Sequence, residues 1–164
     1  MKAVGLTRYL PIADPQSLVD VELPQPVPGD HDILVKVEAI SVNPVDTKQR
    51  KSSPDKVEAT PRVLGWDAAG TVEAVGPMVT LFKRGDPVYY AGDVGRQGSN
   101  SQFQLVDERI VGRKPRTLTM AQAAAIPLTA ITAWEGFFDR MGIDPTGNHA
   151  GRTILLIGGA GVVG

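Results

Sequence analysis

The sequence predicts a mixed α/β protein. A unit of short strands comes first, a helical stretch follows, and a buried strand closes the chain. Three observations predict this. Short apolar or alternating runs, separated by Gly, Pro and Asp turns, fill the first two thirds of the 164 residues. At Thr119 the pattern changes to helical spacing. Residues 153–157 are a continuous apolar run, the pattern of a strand covered on both faces.

Residues 2–7 and 18–23 read as short strands. Residues 33–42 are the clearest strand, with Ile33, Val35, Val37 and Ala39 on one face and Lys36 and Glu38 on the other. The prolines of Pro24-Gln25-Pro26-Val27-Pro28 forbid helix interior and central strand alike. Asn43-Pro44-Val45-Asp46 is a helix start: Asn43 suits the N-cap, Pro44 the first helical position, and Asp46 the positively polarised first turn. Residues 51–61 are polar and read as a surface loop. Strands are expected over 68–75, 87–91, 102–106 and 110–112, with a Gly85-Asp86 turn and a Gly/Ser/Asn loop over 92–101 between them. Such a series makes a small β-barrel or sandwich. Thr119 caps a helix over 120–125, and Pro127 interrupts or restarts it. A second helical stretch covers 128–141, with Trp134, Phe137, Phe138 and Met141 at helical spacing, read as core rather than as a cofactor box.

Composition removes whole classes of function. Hydrophobic residues at 42% and charged residues at 21% argue against global disorder. Lys+Arg 17 against Asp+Glu 18 leaves a net charge of −1, so no basic field exists to hold nucleic acid or an anionic membrane. With Cys 0 there is no disulfide framework, no thiolate nucleophile and no Cys-based zinc site. His31 and His149 share no ligand spacing, and neither has a visible partner in sequence. The first residues lack the apolar core of a signal peptide, and no apolar run reaches the ~18 residues of a membrane span. A soluble cytoplasmic protein is the expectation.

The residues that carry chemistry stand at the end. Gly159-x-Gly161-x-x-Gly164 follows the expected strand directly, the left-hand context of a dinucleotide-binding fingerprint. The first glycine permits a tight turn, the second lets the backbone approach a pyrophosphate, and the third lets a following helix pack on the strand. Gly159, Ala160, Gly161, Val162, Val163 and Gly164 are therefore candidate cofactor-binding residues. A Gly-rich tail after a buried strand is the competing reading. A lone strand of a doubly wound sheet has no neighbours to pair with, so the sequence reads as the front part of a longer protein.

The chain also resembles the medium-chain dehydrogenase/reductase superfamily, in its quinone-oxidoreductase-like branch, often labelled zinc-binding alcohol dehydrogenase family protein. The resemblance runs essentially from end to end. Its carriers are Val42-Asn43-Pro44-Val45-Asp46-Thr47, Leu64-Gly65-Trp66-Asp67-Ala68-Ala69-Gly70, Val72-Glu73-Ala74-Val75-Gly76, Gly85-Asp86-Pro87-Val88, Ala124-Ala125-Ile126-Pro127-Leu128-Thr129 and the terminal glycine motif. It implies a GroES-like β-barrel over 1–117, then the first helix and strand of a truncated Rossmann domain over 118–164. The active site would lie in the cleft between the two domains. It further implies a nicotinamide cofactor, NADPH with NADH as the alternative, and a homodimer at full length.

Zinc-dependent relatives hold their catalytic metal with Cys, His and Cys or a carboxylate. In the resemblance the first position corresponds to Asn43, the histidine to Trp66, and the third ligand falls near Leu128; Val45 stands where the proton-relay hydroxyl would be. An indole and a carboxamide do not replace an imidazole and a thiolate at zinc, so no metal is expected. Without zinc, alcohol oxidation loses its main electrophile, and hydride delivery to an activated acceptor, a quinone or enone, remains. Asn43 is the candidate catalytic and cofactor-facing residue, orienting substrate through its carboxamide, or else a simple N-cap. Thr132 contacts the nicotinamide half in relatives, or bonds its own helix backbone. Lys48, Trp66 and Asp67 are candidate substrate-pocket residues. Their competing readings are a solvated lysine, a core tryptophan and a turn-capping carboxylate. Three functions stand: a zinc-independent NAD(P)H-dependent reductase, a zinc alcohol dehydrogenase, and a non-enzymatic GroES-like binding module. The 164 residues alone are expected to be catalytically inactive.

Overall fold

The structure, a computed structural model, describes residues 1–149 and 151–161. Two antiparallel sheets form most of it. The smaller has the order β2-β1-β4, with β1 Lys2–Arg8, β2 Val19–Glu22 and β4 Val57–Val63. The larger has the order β7-β3-β5-β6-β8, with β3 Asp32–Ser41, β5 Asp67–Val75, β6 Pro87–Ala91, β7 Phe103–Asp107 and β8 Gly112–Arg113. The sheets meet where Ala3 of β1 bridges to Ser101, just before β7. Among the described residues, α-helices run over α1 Pro44–Arg50, α2 Met120–Ala124 and α3 Pro127–Trp134. Among the described residues, no helix is long and apolar enough to cross a membrane.

The inward faces of β3, β5, β6 and β7 supply the main core: Ile33, Val35, Ala68, Val72, Val88, Tyr90 and Val106, with Val37 packed at its border. The expected one-face alternation of β3 holds only as far as Val37. The ladder pairs Val37 with Gly70 and Ala39 with Ala69, so Glu38 and Ala39 together oppose one residue of β5. That bulge reverses the inward parity of the strand. Ala39 accordingly joins a second cluster with Ala69 and with Ala123 and Ala124 of α2. The small alanine side chains let α2 lie close against the sheet. A capping box starts this helix, with Thr119 Oγ1 accepting from Gln122 N at 3.2 Å and Gln122 Oε1 accepting from Thr119 N at 3.0 Å. Thr119→Ala is expected to cost about 1 kcal/mol in urea unfolding. An unchanged midpoint would remove the cap from the account.

Five expectations are corrected. Residues 51–61 are not all loop, because β4 begins at Val57. Polar residues and Pro61 disguise it, and an edge strand tolerates both. The expected strand over 110–112 is instead a 3-10 turn over Glu108–Ile110 followed by the two-residue β8. Residues 153–157 form no strand: residues 152–156 have no regular structure, and Leu155 and Ile157 are 82% and 91% exposed. A strand is stabilised by its neighbours, and no described strand pairs with this segment. The set at helical spacing, Trp134, Phe137, Phe138 and Met141, is not core either. Past Trp134 the helix widens to a π-type turn over Glu135–Arg140, leaving Trp134 and Met141 exposed and Phe137 and Phe138 half-buried. Trp134 and Phe138 meet edge to face at 4.4 Å between centroids.

His31, finally, does have a partner. Its Nδ1 lies 2.9 Å from Glu108 Oε1, while Glu108 Oε2 accepts from the backbone N–H groups of Thr80 and Leu81. Burial opposes ionisation of Glu108, yet His31 and the two amides outweigh it and hold the carboxyl below its ordinary range. His149 sits in a loop with Nε2 2.6 Å from the Asp144 carbonyl oxygen.

Candidate functional site

The end of β3, the start of α1, the start of β5 and the start of α3 converge on one buried polar cluster. Asn43 follows β3 and caps α1, which Pro44 opens at its first position. Asp46 closes the start of that helix, since its Oδ2 accepts from Asn43 N at 2.7 Å. The Asn43 side chain turns the other way: Nδ2 donates to Asp67 Oδ2 at 2.8 Å. Asp67, at the head of β5, is fully buried, and its Oδ1 accepts from Leu128 N at 2.8 Å across 61 residues of sequence.

Both carboxylates are held in low-dielectric surroundings. Burial pushes Asp67 above its usual range; the Asn43 amide and the Leu128 N–H draw it back, and the charge of Asp46 raises it further. Burial likewise pushes Asp46 up, against hydrogen bonds from the N–H groups of Asn43, Asp46 itself and Gly65. Carboxylates so placed are costly to ionise unless every lone pair finds a donor, and the donors here are mostly backbone.

The remaining candidates are distributed as follows. Trp66 is core: it is 3% exposed and packs with Leu6, Tyr9 and Leu64, bordered by Leu18 and Val45. Its Nε1 is buried with no hydrogen-bond partner among the described residues. Lys48 is exposed on α1, the solvated reading of that lysine. Thr132 is exposed on α3, with Oγ1 donating to the Leu128 carbonyl oxygen at 2.7 Å. Gly159, Ala160 and Gly161 lie in an exposed turn closed by Gly161 N donating to Gly158 O at 2.8 Å. Gly158 has a positive φ of 72°, and a Cβ built there would meet nothing within 4 Å. Val162, Val163 and Gly164 lie outside the described residues.

The structure therefore unites Asn43 and Asp67 and reaches Thr132 through Leu128, while Trp66 packs in a separate core cluster. It adds two groups that sequence reasoning missed as members of the site. Asp46 was signalled by the Asn-x-x-Asp spacing of a capping box. The Leu128 amide carried no local signal.

The donor set does not fit zinc. The indole nitrogen of Trp66 is a donor only, and Asn43 already donates to Asp67. Among the described residues, no group of three or more His, Asp or Glu side chains could hold a metal ion.

Comparison with known proteins bears directly on the fold. The alcohol dehydrogenase GroES-like domain matches residues 29–134, nearly two thirds of the chain. The chain belongs to this family. A zinc-type alcohol dehydrogenase-like protein of Staphylococcus aureus is 50% identical to the GroES-like chain over 166 aligned positions, covering 100% of it and 48% of the relative. The 2-methylene-furan-3-one reductase of Solanum lycopersicum is 40% identical over 144, covering 80% of this chain and 34% of the relative. Among solved structures, a Rhizobium etli protein assigned as a zinc-dependent alcohol dehydrogenase matches with TM-score 0.90 and 58% identity, over 99% of this chain and 47% of that one. The quinone oxidoreductase of Coxiella burnetii matches with TM-score 0.75 and 25% identity, over 89% and 46%. The GroES-like chain thus spans about half the length of the curated zinc-type relatives it matches. The resemblance to medium-chain dehydrogenase/reductase proteins, quinone oxidoreductases included, is borne out.

Proposed function

We propose that the protein to which these residues belong is a nicotinamide-dependent, zinc-independent oxidoreductase that passes hydride to a quinone or enone acceptor. One observation carries the reading. At the positions where zinc relatives place their ligands, this chain has a carboxamide bound to a buried carboxylate, an indole packed in the core, and a leucine. Two of the matched proteins are named as a furanone reductase and a quinone oxidoreductase, which supports an acceptor of this class.

The bound cofactor, NADPH or NADH, would supply the hydride. Gly159, Ala160 and Gly161, with Val162, Val163 and Gly164 beyond them, would hold its pyrophosphate, and Thr132 its nicotinamide half. Asn43 has two amide protons. Asp67 engages one, and the other would serve the oxygen on which negative charge develops. The chain's own contribution is orientation and exclusion of water, not activation of an alcohol. The small-molecule acceptor is the only partner this reading requires beyond the cofactor; a cytoplasmic homodimer is its natural setting. The division of the chain at residue 117 into a barrel and the start of a cofactor domain belongs to the same proposal.

Elemental analysis of the protein expressed from the complete reading frame is expected to find far less than one zinc per chain. Stoichiometric zinc that survives dialysis would return the zinc alcohol dehydrogenase to first place.

A further inference from the structure

We propose that Asp67 is a positioning residue. Its two carboxylate oxygens join the Asn43 turn to the first free amide of α3, and so set Thr132 in register with Asn43. The functional half of this proposal rests on the reading above; the structural half stands without it.

The need for such a joint arises in the sequence of α3. A helix leaves its first N–H groups without internal partners. The N-cap here is Ile126, whose side chain accepts nothing, and the first helical residue is Pro127, which has no N–H. Leu128 N is therefore the first amide that needs an acceptor, and α3 supplies none of its own. Asp67 supplies it from β5, with Oδ1 at 2.8 Å. An anionic oxygen at this end also suits the helix dipole.

The other oxygen of the same carboxylate is engaged by Asn43 Nδ2 at 2.8 Å, and the carbonyl of the same Leu128 accepts from Thr132 Oγ1 at 2.7 Å. A continuous hydrogen-bonded path thus runs Asn43, Asp67, Leu128, Thr132. Its ends are the two side chains proposed to face the nicotinamide and the acceptor. Its centre is fully buried, so water does not compete for the carboxylate. A side chain that only filled space or capped one turn would not need both oxygens bound by donors from two separate elements.

The chemistry of the joint makes a specific demand. Two donors, an amide NH2 and a backbone N–H, converge on residue 67. A carboxylate accepts from both. A carboxamide accepts at one oxygen and presents its own NH2 to the other donor. Asp67→Leu, of similar size, accepts from neither donor and should break both arms. Exchanging the pair, Asn43→Asp with Asp67→Asn, restores complementarity, because the new amide donates to residue 43 and accepts from Leu128.

The test uses the protein from the complete reading frame and two readouts. Amide hydrogen exchange at Leu128 reports the joint itself. In Asp67→Leu it should rise about tenfold or more, the loss expected for a hydrogen bond to a charged group. In the exchanged pair it should return to the parent rate. Steady-state kinetics report the consequence: Asp67→Leu should lower kcat by about 10–100-fold while leaving KM for NADPH nearly unchanged, since geometry is lost rather than binding. The exchanged pair should regain Leu128 protection but not kcat, having lost the Asn43 carboxamide.

Parent-like exchange at Leu128 in Asp67→Leu overturns the proposal, whatever the activity. So does an exchanged pair that stays unprotected or does not fold. If Asp67→Leu does not fold, a folded and protected exchanged pair upholds the joint. If the exchange pattern holds but the parent reduces no acceptor, the joint stands and the functional reading fails.

Discussion

Trp66→Ala is expected to destabilise the protein by about 3–5 kcal/mol, the cost of deleting a large aromatic side chain from a packed interior. Trp66 fills a core cluster of its own with Leu6 at 0% exposure, Leu64 at 3% and Tyr9 at 5%. These neighbours come from β1, from the turn after it and from the segment before β5, backbone that cannot close over the void without disturbing the sheet. Urea unfolding measures the loss, and fluorescence adds a check on the cause. The only other tryptophan, Trp134, is exposed, so Trp66→Phe should remove the blue-shifted part of the emission and leave the red-shifted part. The opposite pattern, little change in stability with a large change in acceptor KM, would make Trp66 a wall of the substrate pocket. The position then matters for what it excludes: a side chain committed to the core has no role left at a metal.

Gly70→Ala is expected to cost more than about 4 kcal/mol and to leave little folded protein. A Cβ at this position would lie 2.1 Å from the Lys36 carbonyl oxygen and 3.0 Å from its carbonyl carbon. Both are backbone atoms of the neighbouring central strand, so no rotamer change relieves the overlap and the β3–β5 pair itself must open. The close approach occurs where Val37 pairs with Gly70, beside the Glu38 bulge. That bulge sends Ala39 toward α2 and carries the strand on to Asn43, so the glycine is part of what delivers the carboxamide to Asp67. Thermal unfolding by circular dichroism decides the point; a midpoint within a few degrees of the parent would show that the strands separate more easily than this geometry allows.

What was legible in the sequence was local. Thr119 with Gln122, and Asn43 with Pro44, mark helix starts by chemistry contained within four residues, and both starts are where that chemistry puts them. The alternation of β3 was legible until Glu38, where an added residue changes the parity without any compositional mark. β4 was hidden because an edge strand carries polar residues and even Pro61 without penalty. Trp134, Phe137, Phe138 and Met141 show the limit of periodicity: spacing tells which residues share a face, and says nothing of what covers that face. The apolar run 153–157 fails for the same reason, since a buried strand is defined by neighbours rather than by its own residues. In the site, Asn43 and Asp67 were each recognisable as candidates, but their contact and the link to Leu128 join segments 24 and 61 residues apart. Only the folded sheet brings them together.

The most direct test of the central claim is NADPH oxidation by the protein from the complete reading frame, with a simple benzoquinone as acceptor, in the presence and absence of a zinc chelator. Turnover that the chelator leaves unchanged is the expected result. Silence with the quinone, together with alcohol oxidation that the chelator abolishes, would contradict it.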